Sequence, residues 1–153
     1  MRPLRKLALV LSLSALAPFA LAADTTSAAP APAAAPKVDL APARALIAKK
    51  DWNAAVAELE REARKDPNNA DVQNLLGYSL RNAGQVDKAF VAYNNALRLD
   101  PKHKGAHEYI GIAYLLAKQP DKAKEHLAAL KSICGDNCEE TQDLANAIAA
   151  YKP

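Results

Sequence analysis

Two cysteines, Cys134 and Cys138, are the only ones in the 153-residue chain, and they bracket the tripeptide Gly135-Asp136-Asn137. On an unbroken helix, residues four apart hold their Cβ atoms about 5–6 Å from each other. A disulfide requires about 3.5–4.5 Å. Gly-Asp-Asn is turn chemistry, so a helix is expected to stop there and let the sulfurs meet. In an exported chain an even cysteine count favours a structural disulfide. Two other uses compete with it. A redox-active pair is disfavoured, because the thioredoxin-type motif has two intervening residues, not three. Metal or haem ligation is disfavoured because no histidine follows Cys138 and two thiols alone make an incomplete site.

The remaining candidates for chemistry are sparse. His103 and His107 stand four apart with Glu108 adjacent, and His126 follows later. His103 reads as a polar residue of a loop, His107 as a packed helix residue and His126 as a surface or repeat-interface residue. No Ser-His-Asp order, glycine-rich phosphate loop or HExxH helix occurs. Acidic residues stand singly or beside Lys and Arg along helix faces, the pattern of solvated surface. The chain is therefore expected to be no enzyme and to need no metal and no cofactor.

The elements that position these residues repeat with a period of 34. Gly77 and Gly111 keep that step, as do Leu76 and Ile110, Leu80 and Tyr114, and Pro67 and Pro101. Ala55, Ala89 and Ala123 form another such series, and Leu59, Tyr93 and Leu127 a further one. Small residues at Gly77, Gly111 and the alanines suit close helix crossing, where a larger side chain would push the helices apart. Leu76, Leu80, Tyr93, Ala96 and Leu97 recur at helical spacing and predict the apolar stripe between units. Asp66-Pro67 and Asp100-Pro101 end helices, since a residue before proline is driven out of the α region. Gly84 suits a left-handed turn position.

This pattern resembles the tetratricopeptide repeat, across about residues 37–134. The resemblance implies an all-α, right-handed α-solenoid of about three helix pairs, at residues 37–69, 70–103 and 104–135, with a C-terminal capping helix over 139–152. The second repeat matches best. In the first, Ala43 stands at the glycine position and Pro42 lies in the opening turn, so that helix is expected to begin near Asp39 or Leu40. Asp51 is a candidate N-cap for a helix opened by Trp52. Leu144, Ala147, Ile148 and Tyr151 share one face of the capping helix, which a terminal repeat needs to cover its apolar side.

In tetratricopeptide arrays the first helix of each pair lines a groove that holds extended peptides or partner helices. Carried over by position, the groove residues are Arg44, Asn74, Tyr78, Arg81, Asn82, Glu108, Tyr109 and Ile112. Asn74, Tyr78 and Arg81 share one helix face by their steps of four and three. The lysines with which the chaperone-binding members clamp a terminal carboxylate are absent, so that activity is not carried over.

The N-terminus reads as a secretory leader over residues 1–22: Arg2, Arg5 and Lys6 precede an apolar run, and Ala20-Leu21-Ala22 supplies a small-x-small cleavage pattern. The run falls short of the roughly 20 residues that span a bilayer. Periplasmic export without membrane insertion is therefore expected after cleavage; secretion or an N-terminal anchor are the alternatives. Residues 23–36, rich in Ala and Pro, are expected to form a disordered linker. Three of the 20 basic residues lie in the leader, which leaves 17 against 17 acidic ones. A neutral mature chain carries no electrostatic footprint for nucleic acid. The expected role is a protein- or peptide-binding scaffold, with a thiol-redox accessory or a self-associating spacer as alternatives.

Overall fold

The computed structural model describes residues 38–152. The expected leader and linker lie outside the described residues. Seven helices follow one another: α1 Ala41–Ala48, α2 Trp52–Lys65, α3 Ala70–Asn82, α4 Val86–Leu99, α5 Lys104–Leu116, α6 Pro120–Cys134 and α7 Glu139–Ala150. Among the described residues there is no strand. None of these helices is long and apolar enough to cross a membrane. Each helix packs on the next in sequence, α3 also meets α5, and α7 lies against both α5 and α6. This is an all-α solenoid of helix pairs.

Capping residues explain where the helices start. The Asp51 carboxylate accepts from the Ala54 N–H (3.3 Å) and Asn69 Oδ1 accepts from the Val72 N–H (3.1 Å), each satisfying an otherwise orphan donor of a first turn. One repeat later, at the position 34 residues after Asn69, His103 does the same with a ring nitrogen: its Nδ1 accepts from the Ala106 N–H at 3.1 Å. His103, the last residue of the inter-repeat loop, is thus also the N-cap of α5. The first helix begins at Ala41, slightly later than expected, with Pro42 in its first turn and Asp39 accepting from the Ala41 N–H (2.9 Å).

The turns inside the three pairs share one backbone device. Lys50 (φ 58°), Gly84 (φ 79°) and Lys118 (φ 57°) stand 34 residues apart and all adopt the left-handed conformation. Glycine takes it freely, whereas a lysine pays for its Cβ. Between pairs, Asp66 and Asp100 are extended C-caps ahead of their prolines, as the pre-proline rule requires.

Two buried clusters span the first pairs and are bridged by one leucine. Ala43, Leu59 and Val72 form one buried cluster and Val56, Leu80, Ala89, Ala92, Tyr93, Ile110 and Ala113 another, and Leu76 packs against both. Gly77 is overlain by the Tyr93 ring: a Cβ there would stand 2.6 Å from Cδ1 and Cε1. At Gly111, in the next repeat, the covering group comes instead from α7, whose Leu144 Cδ2 would lie 2.6 Å from a Cβ. Leu144 is fully buried, so α7 caps the third pair as expected. It ends at Ala150, two residues short of the expected Lys152, and Tyr151 is its extended C-cap.

One buried charge was not foreseen. Glu62 in α2 is 1% exposed. It accepts from Lys65 Nζ at 2.6 Å and, across the first repeat, from the Asp39 N–H at 3.0 Å. These contacts tie the start of the described chain to α2. They also hold the Glu62 carboxyl below its ordinary value, Lys65 contributing most and the Asp39 N–H next.

Candidate functional site

An aromatic cluster forms where α3 and α5 meet, with the start of α2 beside it. Tyr78 of α3 and Tyr109 of α5 hold their ring centroids 4.9 Å apart. Trp52, at the start of α2, meets Tyr78 edge-on at 6.0 Å. The Arg81 guanidinium lies over both tyrosines, 5.2 Å from the Tyr78 centroid and 5.7 Å from that of Tyr109. Helix spacing produces this stack: Tyr78 and Arg81 are three apart on one face of α3, and the α3–α5 contact brings Tyr109 alongside. Cation–π contact with both rings holds the guanidinium at this face.

Beside the stack opens a cleft of about 290 Å³ lined by Arg44, Ile47, Ala48, Leu75, Tyr78 and Tyr109. Its walls combine the apolar side chains of α1 and α3 with the Arg44 guanidinium and the two tyrosines. Arg44, exposed at the rim, places a second guanidinium on the same face.

The other expected groove residues divide. Asn74 and Glu108 are only 6% and 8% exposed, so they form the floor of the face, not its surface. Ile112 is half-buried and Asn82 exposed. Asn82 folds back on its own helix, Nδ2 donating to the Tyr78 carbonyl at 2.8 Å, and so serves the end of α3. Burial pushes the Glu108 carboxyl up to about 7; Asp143 and Glu140 of α7 add to the shift and Arg81 opposes it. Burial likewise raises the Tyr109 phenol. Arg81 Nη1, Tyr93 Oη and Asn74 Oδ1 are buried with no hydrogen-bond partner among the described residues.

The sequence reading missed Trp52 and Tyr93 as parts of this site. Trp52 carried the signal of a lone tryptophan opening a second helix, whereas groove residues are sought on first helices. Tyr93 is a core residue by periodicity. Only its ring packing against Gly77 brings it beneath the face.

The cysteines lie at the other end of the domain. α6 ends at Cys134, Gly135 takes φ 83°, and α7 starts directly after Cys138. The Cα atoms are 5.8 Å apart and the sulfurs are within bonding distance. The Thr141 hydroxyl, 2% exposed, lies 3.1 Å from Cys138 Sγ. Cys134, Cys138 and Glu140 are near enough to one another to form a three-ligand cluster; sulfurs joined in a disulfide would offer it no thiolate.

Two overlapping tetratricopeptide repeat models match the sequence, over residues 40–102 and 80–148. The chain carries tetratricopeptide repeats. The BBSome complex member bbs-4 of Caenorhabditis elegans is 36% identical over 61 residues, which are 40% of this chain and 13% of that protein. The chain thus matches only a small part of that relative's length. Among solved structures, the first TPR of Spaghetti (RPAP3) bound to HSP90 peptide SRMEEVD superposes with a TM-score of 0.64 at 16% identity, covering 71% of this chain and 86% of that one. MamA MSR-1 C2 gives a TM-score of 0.55 at 25% identity, over 60% of this chain and 52% of that one. These likenesses agree with the fold. Tetratricopeptide repeat domains generally mediate protein–protein interaction and are typically non-enzymatic.

Proposed function

We propose that this domain is a non-enzymatic interaction module of the bacterial cell envelope, holding a peptide or partner segment along the α1–α3–α5 face. The observation that carries the reading is the Trp52–Tyr78–Tyr109 cluster with Arg81 over its tyrosines, beside a cleft of mixed polarity. Tyrosines give large contact area at low entropic cost, and a stacked arginine keeps donors available for hydrogen bonding. Such groups on a surface suit recognition better than catalysis, which needs a nucleophile or base poised against a partner. The Spaghetti structure, which holds an HSP90 peptide, is compatible with this use of the fold.

The envelope location rests on the leader pattern of residues 1–22. The disulfide between Cys134 and Cys138 belongs to the same reading, because oxidising compartments keep such bonds formed. Its use is to fix α7 against α5 and α6. Expression in a bacterial host with fractionation and intact-mass measurement tests both points. A periplasmic chain beginning at Ala23 and two mass units lighter than the reduced form is expected. Retention of the leader, or two free thiols, contradicts them.

A photo-activated cross-linker placed at Arg44 or Ile112 tests the face itself. Partner adducts are expected at both positions and not at Val91 of α4, which is 63% exposed.

A further inference from the structure

We propose that His107 and His126 form a two-nitrogen binding site for a divalent transition metal that favours square-planar coordination, Cu(II) above all. The site lies between α5 and α6, is separate from the aromatic face, and stands independently of the partner-binding reading. The two Nδ1 atoms face each other at 2.9 Å. The ring centroids are 5.2 Å apart.

The outer contacts orient both rings. His107 Nε2 lies 3.0 Å from the Pro101 carbonyl oxygen, which can only accept. That nitrogen therefore carries the hydrogen, and the lone pair of a neutral His107 sits on Nδ1, directed at His126. A backbone carbonyl on the far nitrogen is the arrangement that orients metal-binding histidines generally. His126 in turn stacks on Tyr114, centroids 5.6 Å apart and planes 19° from parallel. Lys122 Nζ lies over the same tyrosine, 5.0 Å from the Tyr114 centroid.

With metal–nitrogen bonds of about 2.0 Å, nitrogens at a right angle stand about 2.8 Å apart, whereas tetrahedral ligands need about 3.3 Å. The observed 2.9 Å is the length of the N–H···N hydrogen bond between the rings, so the pair is close enough for one ion to reach both nitrogens once that bond opens. Imidazole nitrogens in tetragonal geometry are the preference of Cu(II), which also heads the affinity order of divalent first-row metals. Without metal, His126 Nδ1–H donates to His107 Nδ1. On binding, the His126 proton moves from Nδ1 to Nε2, both Nδ1 lone pairs turn to the metal, and no net proton is released. Water completes the coordination.

The test titrates CuSO4 into the full chain, without a polyhistidine tag, and reads electron paramagnetic resonance. One equivalent showing hyperfine coupling to two imidazole nitrogens is expected. His107→Gln and His126→Gln should each lose one of the two couplings, and His103→Gln, at the α5 N-cap, should keep both. In case a variant misfolds, substoichiometric copper in the unaltered chain should broaden the ring-proton resonances of His107 and His126 before those of His103. Copper that stays unbound, a two-nitrogen spectrum surviving removal of both histidines, or His103 broadening first would each overturn the proposal.

Discussion

The Tyr93 ring lies across the Cα of Gly77, leaving no room for a Cβ, which would stand 2.6 Å from two ring carbons. Tyr93 is itself fully buried, between helices that cannot part without opening the core. Gly77→Ala is therefore expected to destabilise the domain by about 1–3 kcal/mol despite alanine's better helix propensity. At Gly111 the obstructing atoms are the terminal methyls of Leu144, which can rotate away, so Gly111→Ala should cost less. Denaturant unfolding of the two variants checks the order; equal losses would contradict it.

Lys50 and Lys118 hold the left-handed turn position that Gly84 fills in the middle repeat. A side chain there is strained by roughly 1–2 kcal/mol, part of which glycine returns as lost unfolded-chain entropy. Lys50→Gly and Lys118→Gly should each raise stability by about 0.5–1 kcal/mol. Gly84→Ala should lower it. The same unfolding measurement reads all three.

Glu62 sets a dependence on pH. Its carboxyl is held below the ordinary value of 4.5 by Lys65 and the Asp39 N–H. A lowered folded value means that the ionised form stabilises the fold. That contribution is complete above about pH 4.5 and disappears as pH falls through the folded value. Glu62→Gln should be less stable at neutral pH and should approach the unaltered chain in acid. Parallel stability curves would show that the contacts contribute nothing.

The disulfide proposed between Cys134 and Cys138 closes a small loop, so its chain-entropy contribution is only about 2 kcal/mol. Replacing both cysteines by serine should lower stability by that order and speed amide exchange in α7 most. Leu144→Ala, which uncovers Gly111, should cost more, about 2–5 kcal/mol.

Much of this fold was legible because the packing constraints recur at a fixed step. Gly77, Gly111, the alanine series and the two Asp-Pro pairs each mark a position where only one residue type fits easily. Where residue type is free, the signal disappeared. Lys50 and Lys118 share a conformation with Gly84 but not its chemistry, and His103 caps α5 as Asn69 caps α3. The period also runs further than was read: Leu144 lies 34 residues after Ile110, and Ile148 the same step after Tyr114. Two matching positions in α7 are too few to mark it as a continuation of the series. In the candidate site, helical spacing placed Tyr78 and Arg81 together. The meetings with Trp52 and Tyr109, and the contact of His107 with His126, depend on inter-helix geometry that no local spacing records.

The central claim is that partners are held on the α1–α3–α5 face by the tyrosine–arginine stack. Its most direct measurement is quantitative capture of envelope proteins by the mature chain, compared with Tyr78→Ala and Arg81→Ala and with Val91→Ser on α4. The account predicts that specific partners bound by the unaltered chain and by Val91→Ser are lost with both groove variants, each still folded by circular dichroism. The same partners surviving both groove changes, or lost with Val91→Ser alone, would contradict it.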